Sequence, residues 1–70
     1  MKTLSMAKGG RYTIKWMLSL PYQVIEELSK INIAEGKDVH VVSNDGFHVI
    51  VKNGDTRYVL ENDLCACIRI

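Results

Sequence analysis

Two turn signals, Asn44-Asp45-Gly46 and Asn53-Gly54, cut the stretch from Val39 to Leu60 into three short runs rich in alternating valines. Asn-Gly and Asp-Gly steps supply the positive φ that tight hairpins demand, and alternation assigns successive side chains to opposite faces of a sheet. The stretch therefore predicts three antiparallel strands. A three-residue first turn sets Ser43 opposite Phe47, Val41 opposite Val49 and Val39 opposite Val51. A two-residue type I′ turn at Asn53-Gly54 sets Val51 opposite Thr56, Val49 opposite Tyr58 and Phe47 opposite Leu60. The two choices agree, and they gather Val39, Val41, Phe47, Val49, Val51, Tyr58 and Leu60 on one apolar face. A two-residue Asp45-Gly46 turn would carry His48 onto that face instead. The opposite face holds His40, Val42, His48, Ile50, Arg57 and Val59, less polar than solvent alone requires.

Upstream, Gly9-Gly10 marks a turn into Arg11 to Met17, where Tyr12, Ile14 and Trp16 share one parity. A first strand is expected there, with Trp16 in the core or over its end. Ser19 and Pro21 stand where a helix starts, a serine capping orphan amides and a proline having none to cap. Val24, Ile25, Leu28 and Ile31 then recur at helical spacing, with Gln23, Glu26, Glu27 and Lys30 between them. This predicts one short amphipathic helix fading near Asn32, with Glu26 and Lys30 placed to pair. Glu61 to Asp63 form a polar corner, and Leu64 to Ile70 reads as a closing strand. The expected fold is mainly β: a small five-stranded barrel with one short helix across an open end.

At 70 residues, the chain is read as one domain, and one of this size buries only about 60% of the surface its unfolded form exposes. A deep catalytic cleft is hard to house in it. Nine Lys plus Arg against eight Asp plus Glu are scattered along the chain, unlike the charge concentration of a nucleic-acid binder. An RNA-binding surface would need Arg11, Lys15, Arg57 and Arg69 to meet in one patch beside an exposed aromatic ring. No apolar run reaches the roughly 20 residues of a membrane span, and the first ten residues lack the apolar centre of a signal peptide. A cytosolic location is expected.

Cys65 and Cys67 are the only cysteines; in a strand they share a face, and their loop is too short for ordinary disulfide geometry. They read as small core residues. His40 and His48 share a sheet face, offset from one another, and two imidazoles do not complete a metal site. Only a convergence of His40, His48, Cys65 and Cys67 would make a metal-binding or metal-sensing domain. The acidic residues at turns serve backbone amides, and no nucleophile, base and orienting group can be named. Neither catalysis nor a cofactor is expected.

The run Ile31 to Val42 resembles the FeoA family of ferrous iron transport accessory domains, through Leu28, Ile33, Gly36, Val39 and Val41. Leu4, Ser5, Ala7 and Gly10 at the start and Leu60 to Ile70 at the end extend the likeness. Asn32 stands where the family has glycine, a left-handed helix end that asparagine can fill. The hairpin turns at Asn44-Asp45-Gly46 and Asn53-Gly54-Asp55 also depart from the pattern. The resemblance implies that the five-stranded barrel is SH3-like, and that the chain is a cytosolic accessory protein that binds the GTPase region of a ferrous iron membrane permease, placing it peripherally at the inner membrane. Candidate contact residues are Gln23, Glu27 and Lys30 on the helix and His40, Ile50, Arg57 and Val59 on the sheet. Weak self-association through strand edges is a further expectation.

Overall fold

A computed structural model describes residues 2–70. After a 3-10 turn at Leu4–Met6 come strands β1 (Gly10–Thr13) and β2 (Trp16–Met17), then helix α1 (Tyr22–Lys30). Strands β3 (Asp38–Asn44), β4 (His48–Asn53) and β5 (Thr56–Glu61) follow, then a four-residue helix α2 (Asn62–Cys65) and β6 (Ile68–Arg69). The strands make two separate sheets, one in the order β1-β3-β4-β5 and a small ribbon pairing β2 with β6.

This arrangement corrects the expected five-stranded barrel. β1 and β5 are the two edges of an open sheet, and neither closes onto the other. The cause lies at both ends of the chain. Ile14 leaves the β1 line and exchanges backbone hydrogen bonds with the loop before β3, its N–H to Lys37 O and its carbonyl accepting from Gly36 N. Near the C-terminus, α2 runs from the expected polar corner through Leu64 and Cys65, where the closing strand was expected to begin, so only Ile68–Arg69 remain to pair, and they pair with β2.

The core is the inner face of the four-stranded sheet covered by α1 and the terminal segments. Val39, Val41, Val49, Val51 and Leu60 are buried there with Leu28 of α1, Ile33, Ile14, Leu4, Ala7, Cys65 and Ile68. Tyr58, Tyr12, Met17, Val24 and Ile31 pack against this cluster. Phe47, expected in the core, is 76% exposed at the hairpin tip. Trp16 is half-buried outside the core cluster, because the bend after Ile14 gives the inward position in β2 to Met17.

Both hairpin registers lie two residues from those expected. Val41 pairs with Val51 rather than Val49, and Val51 pairs with Tyr58 rather than Thr56. An even slip preserves which face each side chain takes, so the valines stay inside. The first turn tightens because the Asp45 carboxylate accepts the N–H groups of both Phe47 and His48, 2.8 and 2.7 Å away. The odd residue this leaves in β3 is absorbed as a bulge between Val41 and Ser43. In the second turn Asn53 pairs with Thr56, which puts Gly54, at φ 61°, and Asp55 at the tip. That is the glycine-first pattern of a type II′ turn rather than type I′.

Helix α1 begins without a side-chain cap. Pro21 occupies the N-cap, while Ser19, at φ 59°, lies too far upstream to serve it. Lys30 pairs with Glu27 at 3.2 Å instead of Glu26, and both side chains are well exposed. The C-terminal end is better built. Asn32 sits at φ 64°, its N–H donates to Ser29 O, and Ile33 N–H donates to Leu28 O at 2.9 Å. This paired closure is a Schellman motif, with its accompanying apolar contact from Leu28 and Ile33, both buried in the core.

Because a β-carbon disfavours the left-handed region by about 1–2 kcal/mol, Asn32→Ala is expected to lower stability by about 1 kcal/mol. Asn32→Gly is expected to leave it unchanged or slightly higher. Urea denaturation midpoints check both, and equal midpoints for the two variants would contradict the capping assignment.

Candidate functional site

Burying the valines of β3 and β4 forces the residues between them onto the other face of the sheet. Pairing then fixes which of these lie side by side. Arg11 pairs with His40, His40 with Lys52 and Lys52 with Arg57. One basic residue from each strand therefore falls in a single row across the whole sheet, with neighbours about 4.8 Å apart strand to strand. One step along the strands lies a second row, Ser43, Ile50 and Val59. His48 and Glu61 make a third.

The basic row borders an open hollow of about 430 Å³, lined by Arg11, His40, Lys52, Asp38, Asn32 and the Asn53-Gly54 turn. Asp38 is the one carboxylate on it, and its Oδ1 accepts the Thr13 hydroxyl at 2.7 Å. Among the described residues an ion pair joins Lys30 to Glu27, the His48 ring lies near the Asp45 carboxylate, and no carboxylate pairs with Arg11, Lys52 or Arg57. The far end of the same face is acidic. There Asp45, 3.8 Å from His48 Nδ1, has its carboxyl held below the usual range by the backbone N–H groups of His48 and then Phe47.

The sequence-predicted contact residues divide between two sides of the molecule. His40, Ile50, Arg57 and Val59 all lie on this outer sheet face, with Arg57 and Val59 exposed and His40 and Ile50 half-buried. Gln23, Glu27 and Lys30 are exposed along one stripe of α1. Since α1 contributes Leu28 to the core on the inner side of the sheet, the stripe and the outer face do not form one surface. His40 faces Lys52 rather than Ile50, and on the β5 side His48 faces Glu61 rather than Val59, a direct result of the shifted register.

Sequence reasoning passed over Lys52 as a site residue, and it grouped Arg11 and Arg57 with Lys15 and Arg69. Lys15 and Arg69 instead belong to the second ribbon, where Lys15 N–H donates to Arg69 O at 2.8 Å. The readable signal for Lys52 was its parity with His48 and Ile50; its place beside His40 required the bulge.

His40, His48, Cys65 and Cys67 do not converge. The histidines sit at opposite ends of the outer face, Cys65 is fully buried in the core, and Cys67 is half-buried on the turn after α2. Among the described residues no three His, Cys, Asp or Glu side chains are grouped to hold a metal ion. No helix among them is long and apolar enough to cross a membrane.

The fold and this surface define a small mixed domain of helix and open sheet whose solvent-facing side is ordered into basic, apolar and acidic zones. Compared with known proteins, the chain matches no family model, no curated protein and no solved structure.

Burial pushes the Cys65 thiol up to about 12. In the unfolded chain the thiol ionises near 9.0, so its contribution to stability is complete below that pH and is lost as pH rises towards about 12. The thiolate is the reactive form. Iodoacetamide at mildly alkaline pH is expected to alkylate Cys67 in the folded protein and Cys65 only after urea is added. Mass mapping that finds Cys65 modified at the same rate as Cys67 without urea would contradict this burial.

Proposed function

We propose that this chain is a protein-binding accessory domain, not an enzyme, and that it engages its partner through the outer face of the four-stranded sheet. The observation that carries the reading is the cross-strand pair of Ile50 and Val59, with Val59 63% exposed, on a face left to solvent and beside unpaired basic side chains. Apolar groups ringed by charge suit a protein interface of modest size. An isolated exposed valine needs no explanation, but one registered beside a second apolar residue within an ordered charge pattern does.

The partner we propose is the cytosolic GTPase region of a ferrous iron membrane permease, as the resemblance to the FeoA family implies. The left-handed Asn32 supports that alignment, since it occupies the family's glycine position and adopts the conformation a glycine there would serve. On this reading the protein works in the cytoplasm, held at the inner membrane through its partner.

Titrating the isotope-labelled chain with that GTPase region should give saturable NMR shifts clustered at Ile50, Arg57 and Val59. Val59→Asp, at an exposed position, should keep the folded spectrum and weaken binding about tenfold. Shifts confined to the α1 stripe of Gln23, Glu27 and Lys30 would overturn the choice of face. An absence of shifts at high concentration would overturn the partner.

A further inference from the structure

Like charges set directly opposite one another on neighbouring strands destabilise a sheet. Arg11, Lys52 and Arg57 lie in one row with His40, with no carboxylate paired to the three cations. A row of this kind makes sense when the opposite charges arrive from outside. We infer that it is a docking strip for an acidic polypeptide segment, whose carboxylates meet the row while an adjoining apolar side chain rests on Ile50 and Val59. The inference rests on the reading of the outer face as a partner surface and specifies the chemistry of what it takes.

Three features favour an acidic polypeptide over a phosphate or a nucleic acid. The apolar Ile50 and Val59 row runs beside the basic one, matching a chain that carries carboxylates and aliphatic groups together. Asp38 stands on the hollow with Oδ1 committed to Thr13, leaving Oδ2 to accept a peptide N–H. That same carboxylate repels a dianionic phosphate about twice as strongly as it repels a singly charged side-chain carboxylate at the same distance. Finally, no Phe, Tyr or Trp lines the hollow beside the row, so the large flat platform on which single-stranded bases stack is missing. Complementary charge of this kind speeds encounter and sets orientation, and its effect fades with salt.

The double variant Arg11→Glu with Lys52→Glu separates binding from folding. It replaces the like-charge pairing of Lys52 with Arg57 by an opposite-charge one, so its urea midpoint should rise above that of the native chain. Its affinity for the GTPase region should fall at least roughly tenfold at low salt, whereas Lys15→Glu, on the other ribbon, should leave binding unchanged. A second probe is independent of the proposed partner: a short synthetic peptide of alternating Glu and Leu, with a Lys-for-Glu control. The acidic peptide should shift the amide signals of Arg11, His40, Lys52 and Arg57, less so as salt rises, and the control should not.

If the acidic peptide binds the row but the GTPase region does not bind at all, the partner is wrong and the docking strip stands. Undiminished binding of the GTPase region to the double variant would overturn the strip while leaving the accessory reading in place. Tighter saturation of the same signals by inorganic phosphate or a single-stranded oligonucleotide than by the peptide would also overturn it.

Discussion

Period-two burial of Val39, Val41, Val49 and Val51 is the constraint on which the rest of this molecule depends. Fully burying one such side chain contributes about 1.5–3 kcal/mol, and these four valines from two paired strands form one contiguous part of the core. A register slip of one residue would turn every valine outward and bring His40, Ile50 and Lys52 into the core. The valines therefore fix the sidedness of the sheet, and with it the set of residues available to solvent. They do not fix which of those residues become neighbours, because a slip of two leaves sidedness intact.

Neighbour relations are set by the turns. The Asp45 carboxylate captures two backbone N–H groups at the first hairpin, the bulge near Val42 takes up the extra residue, and Gly54 adopts φ 61° at the second. Together these align Lys52 with both His40 and Arg57. The bulge also turns Asn44 inward, where its Nδ2 donates to the carbonyls of Ser5 and Ala7, both at 2.9 Å. Asn62 adds a third such bond to Ser5 O at 3.2 Å. The N-terminal segment is thereby tied to the core side of the sheet. With α1 on that side as well, and no fifth strand closing a barrel, the outer face stays open.

Much of the core was legible in the sequence, because alternation and helical spacing report sidedness directly: the buried valines, Leu60, Ile14 and Leu28 were all readable. The left-handed Asn32 was readable too, from the residue type at a helix end. Connectivity was not. Nothing local distinguishes Asp45 as an acceptor for two turn amides from Asp45 as a loop residue, yet that choice moved the register and sent Phe47 to solvent. The closing strand was shortened for a similar reason, since the parity of Ala66, Ile68 and Ile70 suggested an extended run from Leu64, whereas Leu64 and Cys65 complete α2 with Cys65 buried in the core. At the candidate site, the outer-face positions His40, Ile50, Arg57 and Val59 followed from parity alone. The basic row required pairing partners up to 29 positions apart, Arg11 with His40, which parity cannot supply.

The account turns on an open sheet in this register, and cross-strand backbone NOEs in the labelled free protein test it most directly. Contacts of Lys52 with both His40 and Arg57, of Arg11 with His40, and none between Gly10–Thr13 and Thr56–Glu61 are the predicted pattern. NOEs placing His40 opposite Ile50, or joining the first strand to the last of the four, would contradict it.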